Sequence, residues 1–496
     1  MRSTCWTPNH TGNTEDTWVG RSVVEPGRAP LLVASNRGPL TVVVVEDGDD
    51  EIRRGGGGLV SGMQTALTAT PDAVWVCAAM NERERTLARQ APNGRLSELP
   101  AVAEAMRGDF DVRMLPIDAQ TYRNAYNAIA NSTLWFVLHQ LFDLPTQPAF
   151  DSAWRRQWDS YVRYNRAFAD ALASEAAEGA AVMVQDYHLF LVPRMLRGLR
   201  PDLRISHFTH TPWVSPDYFM TLPDDVARSV IEGMLGADLV GFHTRRWADL
   251  FLECAAAING RSETRVQVFP LGTDADALRK LGARRNVDSE LRVLNELAAD
   301  RQVIGRVDRT ELSKNVWRGL LAYRELLRVY PEWRGRVMHV VYNNPSREDL
   351  PAYREYTARI ERLAEEIDDE FRTDAWTPLV LEVADDYPAA LAVLRRTDVV
   401  FVNSVRDGMN LVVQEGLVLS ERDPAVVVSR EAGVADLLGG DALTVNPFDV
   451  RATAEALHQA LSMPHVERAA RARRMREAAT RLPPAEWFQS QLDAVR

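Results

Sequence analysis

The chain has 496 residues, 46% of them hydrophobic and 26% charged, with a formal net charge of −11. That length exceeds one ordinary hydrophobic core and suggests about two to four domains of a soluble globular protein. The acidic balance argues against a general nucleic-acid or anionic-membrane binder, while allowing a local basic pocket.

Cys5, Cys77 and Cys254 are widely spaced and lack metal-ligand spacing, as expected of reduced thiols in a cytoplasmic protein. The longest apolar runs are strand-length, and the N-terminus lacks the apolar core of a signal peptide. Residues 1–28 are polar and aperiodic and read as a disordered extension.

Pro30 to Ser35 has a buried-strand pattern, broken by Asn36-Arg37-Gly38-Pro39. Leu40 to Val45 reads as a second strand, with a hairpin turn at Glu46 to Asp50. Gly55 to Gly58 then opens a helical pattern, and Val74 to Ala78 is a further strand. Thr121 to Phe168 is aromatic-rich and mainly helical. Ala180 to Gln185, Ile205 to Thr209, Ala237 to Gly241 and Val266 to Leu271 read as strands separated by helices such as Val226 to Leu235. A second series follows: Gln302 to Val307, Val337 to Val341, Leu379 to Val383, Val399 to Val402 and Ala425 to Ser429. Lys314 to Val329 and Tyr353 to Ile367 are helices between them, and the Arg-rich end is helical with a break at Pro483-Pro484. Repeated strand–loop–helix units imply an α/β protein with two doubly wound, Rossmann-like domains facing across a cleft. The crossing is placed at Leu271/Gly272, giving domains 29–271 and 272–480 and a final segment 481–496.

Several loops at strand ends carry candidate chemistry. Glycines at 55 to 58, flanked by Arg37 and Arg54, let backbone N–H groups approach a phosphate, and equally suit a flexible turn. Arg309 and Lys314 stand five residues apart at a strand-to-helix junction, a pair suited to a pyrophosphate or to a solvated basic turn. Asp186 and His210 follow strand ends and can meet sugar hydroxyls; His210 can also donate to a leaving-group oxygen, and a structural role fits both. His188 and His207 read more readily as structural. Tyr126 and Trp135 offer aromatic faces to a sugar, or serve as core. Asn410 is an N-cap before LVVQEGLVL, where first-turn N–H groups attract anions, with Asp407 at the mouth and Glu415 along the helix. Asp47-Gly48-Asp49 and Asp274-Ala275-Asp276 have paired-carboxylate spacing, but read better as a hairpin turn and a helix start, so no metal site is expected.

Together these motifs resemble trehalose-6-phosphate synthases, a family of retaining GT-B glycosyltransferases. The resemblance runs from Ser35-Asn36-Arg37 and Gly57-Gly58-Leu59 through Tyr126-Asn127, Leu134-Trp135, Asp186-Tyr187-His188-Leu189 and His210-Thr211-Pro212. It continues through Gly241-Phe242, Pro270-Leu271-Gly272, Arg309 with Ser313-Lys314, and Pro345-Ser346-Arg347 to Arg406-Asp407-Gly408-Met409-Asn410-Leu411-Val412 and Glu415. It implies transfer of glucose from UDP- or GDP-glucose to glucose 6-phosphate. Arg37, Tyr126, Trp135 and Arg347 would hold the acceptor, and Gly57 and Gly58 would close over the donor. Arg309 and Lys314 would grip the diphosphate. Asp407, with the N–H groups of Gly408, Met409 and Asn410, would hold the transferred glucose. Leu411 and Val412 would lie against the nucleotide, Glu415 would bind its ribose, and Asp186 and His210 would position the sugars. The resemblance implies no enzyme nucleophile, no cofactor and no metal requirement, and leaves homo-oligomerisation open.

The chain departs from the family's usual residues at Arg309-Thr310-Glu311-Leu312-Ser313-Lys314-Asn315, at Gln414 and at Trp213-Val214. These changes leave the base open between uracil and guanine. They also admit a cyclitol-coupling relative or a non-catalytic sugar-phosphate-binding regulator as alternatives, although Arg309, Lys314, Glu415 and the Asp407–Asn410 loop are all kept.

Overall fold

The computed structural model describes residues 27–44, 50–54, 60, 63–64, 67–99, 102, 110–259 and 263–496. The N-terminal extension up to residue 26, the hairpin turn with Asp47 and Asp49, and the candidates Gly57 and Gly58 lie outside the described residues.

Two parallel sheets form the frame. The first holds β1 (Ala29–Ser35), β4 (Val74–Ala78), β5 (Asp111–Leu115), β6 (Ala176–Gln185), β7 (Arg204–Thr209), β8 (Leu239–Phe242) and β9 (Arg265–Val268). Their spatial order is β5-β4-β1-β6-β7-β8-β9. The second holds β10 (Gln302–Arg309), β11 (Val337–Asn344), β12 (Leu379–Val383), β13 (Val399–Val402), β14 (Ala425–Ser429) and β15 (Leu443–Val445), in the order β12-β11-β10-β13-β14-β15. Helices connect parallel neighbours, as parallel pairing requires. β2 (Leu40–Val44) and β3 (Asp50–Arg54) form an antiparallel hairpin outside both sheets.

Central strands such as β4 and β14 are buried at every residue, which is why they read as uninterrupted apolar runs. Two edge strands, β5 and β15, lack such a run: Asp111 and Arg113 interrupt the first, and the second has three residues. β6 starts at Ala176, four residues before the apolar run, through its bridge to Ala29. The aromatic region is not one helix: a π-helix, Asn124–Leu134, leads into Trp135–Leu138, and a loop separates it from the helix Ser152–Glu175. The Asp274 carboxylate caps the next helix, accepting from the N–H groups of Asp276 and Ala277, so the acid there serves the helix start.

The final helix, Pro484–Val495, crosses back to the first sheet. Trp487 and Phe488 are fully buried among Val33, Phe208 and Phe269, and Trp487 Nε1 donates to the Phe269 carbonyl at 3.0 Å. No helix among the described residues is long and apolar enough to cross a membrane.

Candidate active site

Strand order decides where the site lies. In the first sheet β1 has β4 on one side and β6 on the other, and in the second β10 lies between β11 and β13. At such reversals the helices on either side diverge and leave a crevice at the carboxyl ends of the strands. Arg37 and Asp186 follow β1 and β6; Arg309 ends β10, and Asp407 follows β13. The two crevices face each other.

Between them is a cavity of about 720 Å³, lined among others by Arg37, Tyr126, Trp135, Asp186, His210, Arg309 and Arg347. It adjoins a smaller one of about 150 Å³ that shares Trp135, Asp186, His210 and Arg309 and adds Lys314, Asp407 and Gly408. The structure therefore brings together residues spread from position 37 to position 408.

On the first domain's side, Asp186 has a φ of 72° and turns the chain sharply after β6. Burial pushes its carboxyl up to about 6, against the N–H groups of Tyr187 and His210 and the charges of Arg309 and Arg347. The His210 N–H donates to Asp186 Oδ1 at 3.1 Å. His210 Nε2 lies 3.0 Å from Gln185 Oε1, so that nitrogen donates to the amide oxygen and Nδ1 is left as the acceptor. Burial, then His243 and His207, hold this imidazole neutral. Tyr126 stacks on Tyr122 and on His188, and His188 itself lines the cleft.

On the second domain's side, Arg309 ends β10 with a half-exposed side chain, and its Nη1 contacts Glu311 Oε1 at 3.0 Å. Glu311 is fully buried and also accepts from Ser346 Oγ at 2.9 Å, with Arg347 Nη2 at 3.9 Å. Burial alone would raise its carboxyl, but Arg309, Arg347 and Lys314 hold it below the usual range. A turn at Leu312–Lys314 and a left-handed Asn315 then start the helix Val316–Val329. Lys314 Nζ is 2.6 Å from Asp407 Oδ2 and 3.8 Å from Asp308 Oδ1. Arg347 donates to Tyr353 OH at 2.6 Å and Tyr187 OH at 3.3 Å, and its guanidinium lies 4.2 Å from the Trp135 ring centroid. His139 stacks on Trp135 at 3.8 Å.

The Asp407–Asn410 loop is fixed from several directions. Asp407 also accepts from Asn410 Nδ2 at 3.0 Å, while Asn410, at φ 81°, caps the helix Leu411–Leu419 through Val413 N. The N–H groups of Gly408, Met409 and Asn410 donate to no described residue, and Gly408 lines the smaller cavity. Gly408 meets the first domain so closely that a Cβ there would stand 1.8 Å from the His210 carbonyl oxygen. Trp247 Nε1 donates to the Gly408 carbonyl at 2.9 Å.

Met409 turns its side chain into the core beside Val402 and Val413. Leu411, Val412 and Glu415 lie along the helix and line neither cavity. Glu415 has no ion partner among the described residues, and burial alone pushes it up to about 7. No cluster of three metal-ligating side chains occurs among the described residues.

Gln185, His139, Glu311 and Trp247 belong to the site without standing out as site residues in the sequence. His139 is one helical turn from Trp135, and Glu311 sits between the two quoted cations, so spacing offers a signal for both. Nothing local marks Trp247, which reaches the loop from 161 positions away.

A family model, glycosyltransferase family 20, matches residues 30–496. The chain is 32% identical over 471 residues to a bifunctional trehalose-6-phosphate synthase/phosphatase of Thermoproteus tenax, covering 90% of this chain and 61% of that protein. The chain thus spans about three fifths of that relative's length. Among solved structures, it matches one described as trehalose-6-phosphate from E. coli bound with UDP-2-fluoro glucose, with a TM-score of 0.80 and 27% identity over 94% of this chain and 98% of that one. It also matches a UDP-forming α,α-trehalose-phosphate synthase of Burkholderia xenovorans in complex with glucose-6-phosphate, with a TM-score of 0.78 and 26% identity over 94% of this chain and all of that one.

Proposed function

The chain belongs to glycosyltransferase family 20 and has the GT-B fold, and on that premise we propose that it moves glucose from a nucleoside-diphosphate glucose to glucose 6-phosphate, with retention, giving α,α-trehalose 6-phosphate. One observation carries this reading. Arg309, Lys314 and Arg347 of one domain face Arg37, Tyr126, Asp186 and His210 of the other across two adjoining cavities. A bisubstrate site for two phosphorylated sugars calls for that division of charge.

In this reading Arg37 and Arg347 take the acceptor phosphate, and Trp135 stacks behind Arg347. Arg309 and Lys314 take the donor diphosphate, and the N–H groups of Gly408, Met409 and Asn410 with Asp407 take the transferred glucose. Glu415 accepts from the ribose, and Leu411 and Val412 lie beside the base.

The acceptor hydroxyl attacks on the face the diphosphate leaves, and the departing phosphate oxygen accepts its proton. Negative charge grows on that diphosphate, and fixed cations lining the cavity stabilise it most as it forms. The carboxylates nearby are committed elsewhere: Asp407 to Lys314 and Asn410, Asp186 to the His210 N–H. That favours a mechanism without a protein nucleophile. The side chains meet the charge themselves, so the reading calls for no cofactor or metal.

The test is incubation with UDP-glucose or GDP-glucose and glucose 6-phosphate, followed by detection of trehalose 6-phosphate and released nucleoside diphosphate. Folded protein that makes no product with either donor overturns the reading; comparing the two donors assigns the base.

A further inference from the structure

The π-helix Asn124–Leu134 contributes to two cavities. One is the cleft just described. The other, of about 500 Å³, is formed with the loop around Gln147 and the start of the helix Ser152–Glu175, and no role above uses it. π-Helical segments are rare and tend to mark functional sites.

The lining of this second cavity has a distinct chemistry. Arg123 is its one charged side chain among the described residues, and its guanidinium donates to Gln120 Oε1 at 2.8 Å. That is a poor setting for a phosphate, which is bound by converging cations or N–H groups. Phe150 and Trp154 supply ring surface, meeting edge-on at 4.6 Å. Trp154 Nε1 donates to Thr133 Oγ1 at 3.0 Å, which ties the indole to the π-helix. Asn127, Ser132, Gln147 and Gln157 have side chains with no hydrogen bond to any described residue. Aromatic surface takes the apolar face of a sugar ring, while neutral amides and hydroxyls pair with its hydroxyl groups. The volume falls within the range of about 300–1,000 Å³ common to small-molecule sites.

We propose that this cavity is a second carbohydrate site, taking an unphosphorylated mono- or disaccharide. Its occupant acts on the neighbouring cleft. Asn127 and Leu350 line both cavities, and Tyr126 on the same π-helix lines the cleft. A sugar that fixes Asn127 in one geometry changes acceptor affinity, and the acceptor changes sugar affinity by the same factor. Only this coupling rests on the reading of the cleft as an acceptor site; sugar binding does not.

The test is calorimetry on the full chain with trehalose, maltose and glucose as probes, each with and without saturating glucose 6-phosphate. It is repeated on Gln157→Ala and on the Gln147→Ala/Gln157→Ala double variant, with circular dichroism to verify the fold. The expected result is binding of at least one neutral sugar that persists with glucose 6-phosphate present and weakens about tenfold in the double variant. In the wild type that sugar also shifts the apparent affinity for glucose 6-phosphate, and in the double variant it does not. No binding of any probe overturns the site. Binding that glucose 6-phosphate abolishes and the substitutions leave unchanged belongs to the cleft and also overturns it, as does binding indifferent to both. A protein that binds the sugar but makes no trehalose 6-phosphate overturns the proposed function and leaves this site standing.

Discussion

Lys314 and Asp407, 93 positions apart, form an ion pair with Nζ 2.6 Å from Oδ2 at the point where the two crevices meet. Burial works against both charges, and each holds the other ionised: Asp407 stays below its usual range and Lys314 above its own. A diphosphate arriving beside Lys314 meets an ammonium that Asp407 Oδ2 already holds in place.

Lys314→Ala should therefore lower turnover by a factor of about 100 to 1,000, the size seen when one group that stabilises developing charge is lost. Asp407 is left without its ammonium but keeps Asn410 and Ser404 as donors, so the fold should hold. Steady-state assays with circular dichroism check this; turnover near wild type removes Lys314 from the chemistry.

Glu415 predicts a pH dependence. Its carboxyl is raised to about 7 by burial, and only the ionised form is a full acceptor for ribose hydroxyls. Donor affinity should rise as pH rises through about 7, and Glu415→Gln should abolish that rise. Stability runs the other way. The folded value lies above the unfolded one, so the contribution is complete below the unfolded value near 4.5 and is lost as pH rises through about 7. Thermal melts of the ligand-free protein between pH 5 and pH 8 (about the span of this titration), with and without Glu415→Gln, measure that difference.

Arg347→Ala should raise KM for glucose 6-phosphate by about 10- to 100-fold, the loss of a charge-assisted contact of about 1.5–3 kcal/mol. Free glucose as acceptor should be nearly indifferent to the change. Equal loss with both acceptors would place Arg347 away from the phosphate.

Gly408→Ala tests the meeting of the domains. The added methyl has no room beside the His210 carbonyl, so the donor loop or the domain must shift. Donor KM should rise and stability fall by about 1–3 kcal/mol, the usual cost of overpacking. Trp247→Phe removes the N–H to the Gly408 carbonyl and part of a fully buried ring, and should raise donor KM with some loss of stability.

The sequence by itself determined the strands buried on both faces. Val74–Ala78, Val399–Val402 and Ala425–Ser429 stand where their apolar runs stand, because burial on two faces leaves no exposed position in the run. It also determined the helix starts at Asp274 and Asn410, whose caps are local chemistry. The loops carrying Arg309, Asp186 and Asp407 were legible because they follow such strands. β5 and β15 were not, since Asp111 and Arg113 interrupt the first and the second has three residues. Only the tertiary structure decided that Lys314 meets Asp407, that a buried Glu311 stands between Arg309 and Arg347, that His139 backs Trp135, and that Trp247 holds the Gly408 carbonyl. Periodicity and capping act over a few residues, whereas these contacts depend on strand order in two sheets and on how closely the sheets' ends approach each other.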